Sequence, residues 1–149
     1  METKEIILNL RTKKGISQDE LAEKMFVTRQ AVSRWETGDT VPNTETLKLL
    51  SVFFDVSINT LLGSPRKLIC QCCGMPLDDT TTSREPDGVF NEEYCKWCYS
   101  DGKFMYPDIE KLTDFLVSHI PNNDLSPEQA RAVYKEQLMQ LNHWKKAAV

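Results

Sequence analysis

The stretch from Ser17 to Gly38, SQDELAEKMFVTRQAVSRWETG, constrains this chain more than any other. Ser17 with Glu20 three residues later forms a capping-box pattern, the signature of a helix start. Leu21, Ala22 and Met25 give that helix one apolar face. Thr28 can cap a second helix after a tight turn, with Ala31, Val32 and Trp35 facing inward and Gly38 ending it. The outward side of the second helix carries Arg29, Gln30, Ser33 and Arg34. This is the layout of a helix-turn-helix, whose second helix enters the major groove of DNA.

The flanking sequence completes a small helical unit. Ile6, Ile7 and Leu10 fit a first amphipathic helix that ends near Gly15. Asp39 to Pro42 reads as a turn. Asn43 or Thr44 starts a fourth helix with Leu47, Leu50, Phe53 and Phe54 inward. Ser57 caps a last turn bearing Ile58, Leu61 and Leu62, and Gly63 closes it. The expected fold class is mainly α with a small ribbon. The expected segments are a five-helix DNA-binding domain over 1–63, a linker over 64–67, a ribbon over 68–106 and a helical segment over 107–149.

The start of the second helix carries the chemistry. Arg29 or Arg34 can bond the two acceptors of guanine, and Gln30 can pair bidentately with adenine. Gln18, at the N-terminus of the preceding helix, can bind a phosphate, with backbone N–H groups adding to it. Asn43 is a second phosphate candidate, and Thr28 lies at the same edge. Charge gives little help. The chain carries a net charge of -4, and residues 1–63 hold 8 Lys and Arg against 9 Asp and Glu. Non-specific attraction to phosphates should be weak. Local placement of cations, and a second copy of the chain acting as a homodimer, would have to supply the affinity.

LAEKM, VTRQAVSRWETG, Pro42 with NTETLKLL, and VSINTLLG together resemble the Cro/phage-repressor family of helix-turn-helix domains, the Xre-type regulators, over residues 4–63. The resemblance implies that Gln18, Arg29, Gln30, Ser33 and Arg34 line the DNA face. It places Trp35 at a buried apolar position and Glu36 at an acidic one. Phe26 departs from the family, which often has Gly or Asn in this turn. A bulky residue in a left-handed conformation costs roughly 1 kcal/mol. Either the turn is adjusted or Phe26 packs to offset the strain.

All five cysteines, Cys70, Cys72, Cys73, Cys95 and Cys98, lie within 29 residues. Such clustering favours a metal over disulfides in an intracellular protein. Cys70-x2-Cys73 and Cys95-x2-Cys98 make two knuckles that can complete a tetrahedral S4 site, and Zn2+ suits that donor set. Gly74 follows the first pair, where a small residue lets backbone amides turn toward the sulfurs. CQCCGMPLDD with DGVFNEEYCKWCYSDGKF also resembles a small zinc-ribbon family found alone or attached to bacterial regulators. In that family the first pair maps to Cys70 and Cys73, which leaves Cys72 spare. Ligation by Cys72 in place of Cys73 is the rival. A structural site, a metal or redox sensor built on Cys72, and a thiol catalyst are the three readings of the module. The last lacks a thioredoxin-like alternation of strands and helices.

Ile109, Leu112, Leu116 and Ile120 return to helical spacing, and Pro121-Asn122-Asn123 interrupts it. Ser126, Pro127 and Gln129 then start one helix running to about Lys146. Its stripe of Ala130, Val133, Tyr134, Leu138, Leu141 and Trp144 either packs on the ribbon or forms a dimer surface. His119 and His143 fit surface or cap roles. No apolar run is long enough to span a membrane, and no secretory signal is visible, so a cytoplasmic protein is expected. The function expected is a DNA-binding transcriptional regulator that represses by occupying a double-stranded operator, with no chemistry of its own. An antitoxin-like protein that grips a partner through the ribbon or C-terminal helix is the alternative, as is a zinc- or redox-responsive regulator.

Overall fold

The computed structural model describes residues 1–120 and 124–147; the Pro121-Asn122-Asn123 break lies outside them. The chain divides into two compact units. One is Met1–Lys67 with Asp87–Phe90, and the other is Leu68–Pro86 with the residues from Asn91 onward.

The first unit contains five helices: α1 (Thr3–Lys14), α2 (Gln18–Met25), α3 (Arg29–Thr37), α4 (Thr44–Phe54) and α5 (Ile58–Leu61). The starts of α2 to α5 each have a polar side chain that satisfies an otherwise orphaned N–H. Ser17 accepts from the Glu20 N–H, Thr28 from Ala31, Asn43 from Thr46 and Ser57 from Thr60. Gly15 and Gly38 end α1 and α3 in the left-handed conformation. The core joins Ile7, Leu21, Val32, Trp35, Leu50 and Leu61 from all five helices.

Phe26 ends α2 in the left-handed conformation, with φ 59 and ψ 39. Its side chain is 86% exposed. Neither expectation for this residue holds. The turn keeps the strained geometry, and the ring does not pack to offset it. The reason is local: the next residue, Val27, must turn back for its N–H to reach the Ala22 carbonyl at 3.0 Å, which points Phe26 outward.

A ribbon of short strands, in the second unit apart from Phe90, comprises β1 (Thr82–Arg84), β2 (Phe90–Cys95), β3 (Tyr99–Ser100) and β4 (Lys103–Phe104). β1 pairs with β2. β3 and β4 are antiparallel, with Tyr99 opposite Phe104 and Ser100 opposite Lys103. Asp101 and Gly102 between them both have positive φ, the requirement of a two-residue hairpin turn. Three helices follow: α6 (Ile109–His119), α7 (Pro127–Met139) and α8 (Asn142–Ala147). The single long helix expected from Pro127 is therefore two. The chain breaks after Met139 because the next segment bonds elsewhere. The Asn142 and His143 amides donate to Gln71, and the Trp144 indole N–H donates to the Cys72 carbonyl at 2.7 Å. Leu112, Leu138 and Trp144 share one buried cluster with Cys70, Cys72, Cys95 and Cys98.

Candidate nucleic-acid interface and metal centre

The α2–turn–α3 segment presents the side chains that sequence singled out, in unequal states. Thr28, Arg29, Gln30 and Arg34 are exposed, while Ser33 is half-buried on the same helix. Among the described residues Arg29 and Arg34 make no ion pair, and their guanidinium donors are free to meet acceptors outside the chain. Asn43 is exposed but its Oδ1 is committed to capping α4, accepting from Thr46 at 2.9 Å. That leaves its amide N–H groups as donors.

Gln18 is not a free side chain. Its Nε2 donates to Glu36 Oε2 at 2.9 Å. Glu36 in turn meets Arg11 Nε at 2.6 Å, with side chains only 14% and 5% exposed for Arg11 and Glu36. Arg11 also donates through Nη1 to the Ile16 carbonyl at 2.8 Å. This chain of bonds ties α1, α2 and α3 together, and it holds Gln18 in one orientation at the start of α2. Breaking one side of a buried pair leaves the other charge uncompensated, a loss of about 3–5 kcal/mol. From sequence, Glu36 falls at an acidic position of the family, but its partner is not evident. The available signal was Arg11, a cation flanked by the inward residues of α1.

The four cysteines expected as ligands converge. The Sγ atoms of Cys70, Cys73, Cys95 and Cys98 all lie within 4.8 Å of one another. Cys73 and Cys95 Sγ are 3.8 Å apart, too far for a disulfide. Backbone geometry builds each knuckle. Gly74 adopts φ +83, and its N–H donates to the Cys70 carbonyl at 2.8 Å. The amides of Cys72 and Cys73 both donate to Cys70 Sγ at 3.4 Å. In the second knuckle the Cys98 N–H donates to the Cys95 carbonyl at 3.1 Å.

The donor set fits a soft divalent metal. Four thiol groups this close cannot all ionise without a cation, so they divide into donors and acceptors. Hydrogen bonding from Cys73, joined by Cys95 and Cys98, holds the Cys70 thiol far below its usual range. The bond with Cys70 pushes Cys73 up, and the same sulfur pushes Cys98 up most strongly. Cys95 is raised by Cys70 but lowered by Cys73 and Cys98, and ends lowered to about 7. A metal ion with four thiolates resolves this conflict, because every sulfur can then carry its charge. The cluster is thus capable of coordinating a metal ion. Cys72 stands outside this set. It is 1% exposed; its backbone N–H donates to Cys70 Sγ, its carbonyl accepts from the Trp144 indole, and its thiol hydrogen-bonds with Cys98. Among the described residues no helix is long and apolar enough to cross a membrane.

Comparison with known proteins assigns both modules. Residues 7–61 match a family model described as "Helix-turn-helix". A 63-residue segment is 48% identical to the HTH-type transcriptional activator BcrR of Enterococcus faecalis, covering 42% of this chain and 31% of that protein. The match thus spans less than a third of that relative's length. A crystal structure of the P22 c2 repressor protein in complex with synthetic operator 9T matches at 35% identity and a TM-score of 0.41, covering 42% of this chain and 94% of that one. Residues 69–145 match a family model described as "Putative zinc ribbon domain". With a match over more than half its length, the chain belongs to this zinc-ribbon family, and it carries its ribbon fused to a helix-turn-helix domain.

Proposed function

We propose that this protein is a sequence-specific DNA-binding transcriptional regulator that reads an operator through α3 and holds a structural Zn2+ ion in its ribbon. The observation that carries the reading is the set of exposed, unpaired donors Arg29, Gln30 and Arg34 on one short helix preceded by the capped turn. Arg29 and Gln30 would meet base edges, with Ser33 and Arg34 one turn further along. Thr28 and Asn43 would lie at the rim, and Gln18, already oriented by Glu36, would meet a phosphate. The near-neutral charge of residues 1–63 favours a homodimer, in which two half-sites add their contacts. A helix-turn-helix joined to a zinc ribbon is typical of non-catalytic regulatory proteins.

Occupying an operator that overlaps a promoter represses transcription. The same contact made upstream of a promoter can activate it, and the relative with the similar reader is named an activator. The reader sets the address, and the position of the operator sets the sign. Cys70, Cys73, Cys95 and Cys98 would hold the metal. When bound, zinc supplies no reaction here; it contributes folding free energy, about 10–16 kcal/mol in small structural sites.

The test is selection and sequencing of bound DNA from a random pool, on the native chain and on Arg29→Ala. We expect a palindromic motif for the native chain. Arg29→Ala should lose about 1–3 kcal/mol of binding and relax one position in each half-site. An Arg29→Ala protein with native affinity and selectivity would remove α3 from the DNA face. Absence of any enriched motif would shift the reading to the antitoxin-like alternative, a regulator whose main partner is another protein.

A further inference from the structure

The five cysteines are not equally accessible. Cys70, Cys72, Cys95 and Cys98 are each no more than 2% exposed. Cys73 alone is partly exposed. The spare thiol that sequence offers as a sensor is therefore sealed, and a metal ligand is open. Cys73 opens into a groove of about 540 Å³. This volume lies within the range of small-molecule sites. Cys73, Cys95 and Cys98 contribute to its lining, with Trp97, Tyr106 and Phe115 among the other contributors, and no Asp, Glu, Lys, Arg or His lines it. Trp97 is 54% and Phe115 42% exposed beside the sulfur, with the Lys96 ammonium over the Trp97 ring and His119 stacked on one face of Phe115. Gathered exposed apolar surface of this kind marks a binding groove.

We propose that this groove is a reaction site for neutral, apolar, soft electrophiles, with Cys73 Sγ as the nucleophile. The proposal rests on the four-cysteine metal reading above. Its selectivity follows from charge. Four thiolates and one divalent cation would sum to -2, so the floor would repel anions, offset in part by the Lys96 ammonium over Trp97, and the apolar walls offer nothing to a strongly hydrated group. An apolar ring gains by covering Trp97 and Phe115. Cys73 is the one partly exposed sulfur of the set, and its thiolate is the reactive form. With an activated alkene, a sulfur lone pair forms the new S–C bond, the π pair moves to the adjacent carbon, and water supplies the proton. With a benzylic halide the S–C bond forms as the C–X bond breaks and the halide leaves. In both cases the thiolate becomes a neutral thioether, a poorer ligand, and the metal is left with three thiolates. The groove converts an apolar electrophile into loosening of the ribbon.

The test uses the full chain with its metal content measured first. The protein is treated with N-benzylmaleimide or with a maleimide bearing a carboxylate, so that the reacting group is the same. Peptide mass spectrometry locates the first adduct, and a colorimetric chelator reads metal release. Glutathione provides the reference ratio of the two reagents. We expect the first adduct on Cys73, metal release in step with it, and a preference for the benzyl reagent about tenfold above the glutathione ratio. Trp97→Ala and Phe115→Ala should retain the metal and bring that preference down toward glutathione's. A first adduct on Cys72, or a ratio equal to glutathione's on metal-loaded protein, would overturn the groove while leaving the metal site standing. Protein purified without metal would overturn the metal reading and the proposal with it.

Discussion

Phe26 shows what a single residue costs the fold. A non-glycine residue at φ 59 is strained by roughly 1–2 kcal/mol, and an 86% exposed ring returns nothing by burial. Replacing it with glycine removes the clash but adds freedom to the unfolded chain. We expect Phe26→Gly to stabilise the helix-turn-helix unit by at most about 1 kcal/mol, or a few degrees in thermal midpoint. Thermal denaturation of the two proteins checks this, and a lower midpoint for the variant would mean that the ring holds a contact. The strain at Phe26 was legible in the sequence because it depends on one residue's sterics and one turn. The Arg11–Glu36 bond was not, because its partners are 25 residues apart and meet only once α1 packs on α3. The cysteines divide the same way. Their spacing announced a four-sulfur site, but which sulfur faces solvent depends on where Leu112, Phe115 and Tyr106 come to lie.

At the scale of elements, caps and apolar periods announced α1 to α7 from sequence, and the break between α7 and α8 escaped. Nothing in QLMQLNHW lowers helix propensity enough to stop a helix. The stop is imposed by bonds from Asn142, His143 and Trp144 to the first knuckle. The same bonds join the four-sulfur cluster to the helices. Stripping the metal should expose the amides of α6, α7 and α8 to hydrogen exchange while those of α1 to α4 stay protected. Retained protection in α6 to α8 after chelation would show that their core stands without the ribbon. A second tie joins α6 to α7. Glu110 meets Lys135 at 2.5 Å and also meets Arg131, which reaches Asp114 as well. The Lys135 ammonium, with Arg131 adding, holds the Glu110 carboxyl below its ordinary 4.5. A depressed carboxyl contributes stability above its unfolded value and loses it as pH falls through the lower, folded one. Glu110→Gln should therefore flatten the loss of stability below about pH 4.5 and change little near neutrality, as measured by denaturation across that range.

The molecule as a whole carries a net charge of -4, which sets how it must approach DNA. With few cations to release counterions, the logarithm of affinity should fall with the logarithm of salt at a slope no steeper than about -5, even for a dimer. Anisotropy titrations across a salt series measure it. A much steeper slope would reveal a phosphate-binding surface beyond α2, α3 and the start of α4. The bond from Trp144 to the Cys72 carbonyl also has a consequence in time. Its two ends lie 72 residues apart in sequence. A ribosome adding roughly 5–20 residues per second needs on the order of 4–14 seconds to cover that distance. The first pair of sulfurs is thus made well before the second, and the indole that fastens their loop is made later still. Throughout that interval a newborn chain carries thiols that the finished protein hides. The hazard of mispairing or stray oxidation falls on the protein while it is being made, and an early metal ion would act as an escort for the unfinished ribbon.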